Sequence, residues 1–217
     1  MKINSIIPKY SIAIYIVVAI MFVRHDASAH KSSEEVYNSI KKKYGSASSL
    51  QCTFSSAVGS QNSITGTVKA KKGNKYILNF GSRIIVCNGE TIWNFTKISN
   101  SVVVSNYEDK GQISIEKVFF TFLNAYTSAT VLSEQSSKGD KFITLRLLPE
   151  SPDKIISGVR SISLSLSPKS LALQRISITD ASSTQVWKIS SLKTDITLSD
   201  STFEFTAPKD AQVVDMR

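Results

Sequence analysis

Side chains that attack carbonyls, shuttle protons or hold metals are sparse in this sequence. Its two histidines, His25 and His30, both stand near the N-terminus. The later part of the chain, which carries the regular patterning, therefore offers no internal imidazole, and a Ser-His-Asp or Cys-His arrangement has no base. Cys52 and Cys87 are widely separated, so a zinc site would have to be completed by carboxylates. No Gly-rich phosphate loop, GxSxG elbow or SxxK set is present. Glu90, Glu108, Asp109, Glu116 and Glu134 leave carboxylate-pair hydrolysis formally open. They fall at turns, strand ends and polar helix positions, where a solvated surface is the simpler reading. The expectation is a protein that is not an enzyme and uses no metal or other cofactor.

The N-terminus points to export. Lys2 and Lys9 precede an apolar stretch from Tyr10 to Val23, and Ala27-Ser28-Ala29 follows it, the pattern of a cleavable secretory signal. Residues 1–29 are read as the signal peptide and 30–217 as one domain, beginning at His30. No Cys stands at that start to be lipidated. Loss of Lys2, Lys9, Arg24 and Asp26 removes three positive charges and one negative, taking the net charge from +9 to +7. The basic residues are scattered, with one denser run at Lys69, Lys71, Lys72 and Lys75. An exported basic chain meets anionic headgroups and acidic partners, and nucleic acid is not expected.

Two periodicities organise the rest. Ser32 and Glu35 form a capping-box pattern, after which Val36, Ile40 and Tyr44 recur at helical spacing up to Gly45. From Ser49 the period becomes 2, predicting strands near 49–58, 63–72, 75–80, 83–88, 91–95 and 101–107, then 129–136, 140–148, 158–167, 171–179, 184–194 and 202–206. Short turns at Gly73-Asn74, Gly81-Ser82 and Asn88-Gly89 make this an antiparallel meander. One segment breaks the alternation: Ile115, Val118, Phe119, Phe122 and Leu123 fall at i, i+3, i+4, i+7 and i+8, an amphipathic helix within a sheet protein. Such a sheet curls, and the two helices are available to cover one face, whether over a solid core or a hollow. In an oxidising compartment Cys52 and Cys87 fit either a disulfide or two buried small hydrophobes, and bridging needs their strands to be neighbours.

The sequence of elements, with "LQCTFSS", "GTVKAKKGNKYILNF", "IIVCNGETIWNF" and the ending "STFEFTAPKDAQVVD", resembles the LolA family of periplasmic outer-membrane lipoprotein carriers over essentially the whole mature chain. The resemblance implies a mainly β fold, an unclosed antiparallel half-barrel with an N-terminal helix and a mid-chain helix covering its concave apolar face. It implies a monomer that takes acylated lipoproteins from an inner-membrane ABC-type releasing complex. Delivery would be to an outer-membrane receptor lipoprotein or to that membrane directly. The implied lipid-binding set is Leu50, Phe54, Val68, Tyr76, Leu78, Phe80, Ile85 and Trp93, with Phe119, Phe122 and Leu123 filling the hollow when it is empty. Alternation puts Trp93 and Phe95 on one face without saying which. Where the family typically has Arg-Pro, with the Arg latching the lid, this chain has Lys72-Gly73, so Lys72 is a latch candidate lacking the planar fork of donors. The competing reading is a ligand-free structural or envelope-sensor β protein of the same fold.

Overall fold

The computed structural model describes residues 32–58, 62–108, 114–135 and 141–217; the expected signal peptide, His30 and Asp109 lie outside them, and so does the side chain of Glu134. Helix α1 (Ser33–Ile40) opens the chain on the expected cap. Ser32 Oγ accepts from the Glu35 amide at 3.1 Å, and the Ser32 amide donates to Glu35 Oε2 at 2.9 Å. A π-helical turn (Lys41–Gly45) continues it and keeps Tyr44 on the same buried stripe as Val36 and Ile40.

Twelve strands follow among the described residues: β1 (Ser49–Val58), β2 (Asn62–Lys71), β3 (Lys75–Asn79), β4 (Arg83–Asn88), β5 (Thr91–Thr96), β6 (Ser101–Asn106), β7 (Thr127–Gln135), β8 (Lys141–Leu148), β9 (Ser161–Leu166), β10 (Leu173–Thr179), β11 (Thr184–Thr194) and β12 (Gln212–Asp215). They form one sheet in the order β12-β6-β5-β4-β3-β2-β1-β11-β10-β9-β8-β7. Two meanders are joined by the pairing of β1 with β11, and the end strands β12 and β7 do not meet, so the half-barrel is unclosed. Between β6 and β7 run α2 (Ile115–Lys117), a second π-helical turn (Val118–Phe122) and α3 (Leu123–Ala125).

Hairpin register decides which side chains face the helices. Gly89 and Glu90 form the centre of the β4–β5 turn, with Gly89 at φ +102° and Asn88 Oδ1 accepting from the Glu90 and Thr91 amides. Cys87 therefore stands opposite Ile92, and Val86 opposite Trp93. Two adjacent rows cross the helix-covered face. One runs Leu50, Ala70, Tyr76, Cys87, Ile92, Ser105; the other runs Cys52, Val68, Leu78, Ile85, Asn94, Val103. Ile77, Val86, Trp93 and Val104 form a row on the other face. Strand β4 is apolar at both parities because both of its faces are covered.

The cover on the far face comes from the C-terminal segment. Phe205 packs against Trp93 and Phe95, with ring centroids 6.5 and 5.9 Å apart, and Ala207 and Ala211 complete a cluster with Val102, Val104 and Ile84. The segment is pinned where it arrives: Lys71 and Lys75 donate to the Asp200 carboxylate at 2.8 and 2.7 Å, holding its pKa down at about 2. Two members of the lysine run thus tie the chain to itself.

One expectation needs correction, and the alternative left open for the cysteines is settled. The strand expected at 202–206 is absent; Asp200–Phe203 is a 3-10 turn that buries Phe203 against β3 and β4. A strand forms instead at β12, parallel to β6, where Val213 and Val214 lie exposed and leave no alternation to read. The cysteines are free, on β1 and β4 with β2 and β3 between them. Three strand spacings come to about 14 Å, twice the reach of a disulfide. The alternating stretch "SISLSLS" is covered on its serine parity as well: Ser161 and Ser165 are buried, and Arg175 stands opposite Ser165.

Phe203 has no exposed surface and anchors the crossing segment. Phe203→Ala should cost about 3–5 kcal/mol in urea unfolding, and a loss below about 1 kcal/mol would show that the turn does not depend on it.

Candidate functional site: the lidded apolar face

The mid-chain helix buries the stripe its spacing defines. Ile115, Val118, Phe119, Phe122 and Leu123 join one core cluster with Val36, Ile40 and Tyr44 of the N-terminal helix and with Leu50, Phe54, Val68 and Tyr76 of the sheet. Tyr44 meets Phe119 edge to face at 5.9 Å, and Phe122 meets Tyr126 at 5.3 Å. Phe54 lies across Gly66, where an added Cβ would come within 2.8 Å of its ring, and so reaches the Phe80 ring at 5.7 Å. Tyr126, just past the helix end and fully buried, is its mooring. Its hydroxyl donates to Val159 O and accepts from the Ile156 amide, and its carbonyl accepts from Tyr37 Oη at 3.0 Å. Asn124 adds a bond to Gly45 O at 3.2 Å.

The lid does not fill everything. Beyond the helix-packed part, the two inner rows run out over β3–β6 and wall a cavity of about 330 Å³, lined by Tyr76, Leu78, Ile85, Ile92, Val103 and more polar neighbours at Arg83, Asn94, Ser105 and Ser114. A second cavity, of about 280 Å³, lies between the lid helix and the β2–β3 turn, lined by Lys72, Asn74, Tyr76, Tyr107, Glu116, Phe120 and their neighbours. Tyr76 borders both. The question of solid core or hollow thus has two answers, solid around Leu50 and Val68 and hollow at β3–β6.

Among the candidate residues, Tyr76, Leu78 and Ile85 line a cavity, and Phe80 is half-buried beside the core. Leu50, Phe54, Val68, Phe119, Phe122 and Leu123 are packed together and line neither cavity. Trp93 is a correction: it belongs to the opposite face, against Phe205, because the β4–β5 register sets it opposite Val86 rather than beside Ile85. Lys72 stands exposed at the rim of the smaller cavity, and among the described residues its ammonium makes no hydrogen bond to the lid. The sequence reading missed Ile92, Tyr107, Phe120 and Tyr126, and it misplaced Glu116.

Glu116 is 4% exposed, not a surface carboxylate. Ser114 Oγ bonds its Oε1, and among the described residues Oε2 has no hydrogen-bond partner. Burial raises its pKa against the opposing pull of Ser114, its own amide and Lys117. Around it, burial pushes the Cys52 thiol up to about 12, raises Cys87 and lifts Tyr76 above the usual phenol range, with the charge of Glu116 adding to each. These thiols are inert at neutral pH. What the arrangement offers is binding: an apolar wall, a helical cover and a few polar groups at the margin.

Fold and site define a class, the helix-lidded open β half-barrel with a partly hollow apolar face. The sequence profile described as outer membrane lipoprotein carrier protein LolA matches residues 45–206, and the chain belongs to the LolA family. Among solved structures it is similar to an uncharacterized conserved protein from Thermus thermophilus, at 17% identity and a TM-score of 0.50 over 85% of this chain and 99% of that one. A LolA superfamily protein from Nitrosomonas europaea is similar at 12% identity and a TM-score of 0.43, over 81% and 99%. A DUF1329 family protein from Desulfovibrio piger is similar at 12% identity and a TM-score of 0.46, over 81% and 98%. No curated protein matches the chain significantly in sequence.

The lid can be probed at its mooring and at its buried carboxyl. Tyr126→Phe leaves Val159 O and the Ile156 amide without their partner, at about 1–3 kcal/mol, and should speed amide exchange across 115–126. Lys72→Leu should leave that exchange unchanged, and acceleration equal to that of Tyr126→Phe would make Lys72 a latch after all. Glu116 has a pKa raised on folding. The unfolded state loses its proton first, at about pH 4.3, so stability falls as pH rises through that value until the folded carboxyl also ionises. Glu116→Gln removes this loss: it should be more stable than wild type at neutral pH and lose that advantage below about pH 4, as read by thermal unfolding across pH.

Proposed function

We propose that this chain is a periplasmic lipoprotein carrier. It takes acyl chains of lipoproteins released from the inner membrane by an ABC-type complex and yields them to the outer membrane, through a receptor lipoprotein or directly. It acts as a monomer and catalyses no reaction. The observation that carries this reading is the cavity walled by Tyr76, Leu78, Ile85 and Ile92 beside a helix held largely by apolar packing. Its family membership supports the same reading.

The physics fits a carrier that must let go. Burial stabilises an acyl chain by about 0.8 kcal/mol per methylene, on the order of 10 kcal/mol for a long chain. Full capture of that energy would prevent release. A cavity of about 330 Å³ is at the small end for a ligand site, so a whole chain is accommodated only if Phe119, Phe122 and Leu123 give up their own contacts with the sheet. The displaced packing offsets the gain, leaving the carrier weaker than a membrane.

Mass spectrometry of the protein purified from its native envelope should find acylated lipoprotein bound. A photo-crosslinking residue at Leu78 should capture it, whereas one at Ile77, in the row with Val86 and Trp93, should not. Equal capture at both positions would refute the assignment of the binding face.

A further inference from the structure

The two cavities share Tyr76. The larger is walled by Leu78, Ile85, Ile92 and Val103 with polar groups at its margin; the smaller gathers Lys72 and Asn74 from the turn, Tyr107 from the sheet side, and Glu116 and Lys117 from the lid. Glu116 is the unusual member, because a buried carboxyl oxygen without a partner costs stability that an apolar residue would not. Cys52, Tyr76 and Cys87 face it from the sheet, and Ser114 and Lys117 adjoin it on its own segment.

We propose that the smaller cavity is a polar subsite for the head of an acyl ligand, in which Glu116 donates a hydrogen bond from Oε2 to a neutral ester or amide carbonyl while the hydrocarbon runs past Tyr76 into the larger cavity. This rests on the acyl-carrier reading and deepens it by naming what is recognised beyond the hydrocarbon. The chemistry follows from the surroundings. A protonated carboxyl has one hydroxyl to give, and a carbonyl oxygen is the complementary acceptor. A cationic amine is disfavoured because Lys72 and Lys117 both line the cavity. A carboxylate would have to be desolvated beside a second carboxyl. Oε2 is covered in this lidded state, so the ligand meets it as the lid shifts, which placing a full chain between helix and sheet requires in any case.

The test compares two probes of equal chain length, 1-palmitoylglycerol, which has the ester carbonyl, and 1-O-hexadecylglycerol, which lacks it, with palmitate as a third. The wild-type mature chain should bind the ester about tenfold more tightly than the ether, the yield of one added hydrogen bond. Glu116→Leu should erase the difference while still binding the ether, and Glu116→Gln, which keeps an N–H donor, should retain most of it. Equal binding of ester and ether by wild type, which needs no variant to fold, overturns the subsite and leaves the acyl-carrier reading standing. So does palmitate binding more tightly than the ester, which would make the cavity an anion site. Failure to bind any of the three overturns the carrier reading and the subsite with it.

Discussion

A sheet that does not close leaves an apolar face without a second sheet to cover it, and the rest of this molecule answers that constraint. The inner rows run across the sheet from Leu50 and Cys52 to Ser105 and Val103. The helical cover is short: eight residues and a π turn at the N-terminus, and eleven residues between Ile115 and Ala125. Such helices bury the sheet where Phe119 and Phe122 reach it and fall short over β3–β6, where the larger cavity lies. The hollow is a consequence of lengths, a broad wall under a small lid.

The other face imposes the opposite solution. Trp93, Phe95, Val102 and Val104 are covered by a crossing segment of the chain, fixed by Asp200 at one end and by the β12–β6 ladder at the other. That cover starts at an ion-paired turn and finishes in a hydrogen-bonded ladder, so moving it would break both. The helical cover is held by side-chain packing and by a few bonds at Tyr126 and Asn124. The two covers are therefore held by different forces, a strand ladder and an ion pair on one face and side-chain burial on the other.

Much of this was legible before any coordinates. The lid stripe at i, i+3, i+4, i+7 and i+8 matches the buried residues, and Tyr76, Leu78 and Ile85, named on the resemblance, line one cavity. The side of Trp93 was also legible and was not read. With Gly89 and Glu90 at the turn centre, Asn88 pairs Thr91, and counting outward sets Trp93 opposite Val86, on the face away from Ile85. Strand β12 was not legible, because an exposed edge strand paired in parallel carries no alternation. Glu116 was misread for a different reason. Its place beside Ile115 puts it on the polar side of a helical wheel, but the β2–β3 turn and Tyr107 close over that side, and only the tertiary arrangement contains this.

The position of Glu116 bears on how such a lid could be poised. Apolar packing alone favours closure at every pH, and a lid that contributes Phe119, Phe122 and Leu123 to the core would be hard to lift. A buried carboxyl with one oxygen unpartnered works against that preference from within the same segment, since its cost is relieved when the segment moves and water or a ligand group reaches it. Ser114 offsets part of the cost by holding Oε1, so the residue does not unfold the lid; it narrows the gap between closed and open. Replacing it by an apolar residue would deepen the closed state. Among the described residues Glu116 is the buried carboxyl, and its cost falls on the lid segment itself.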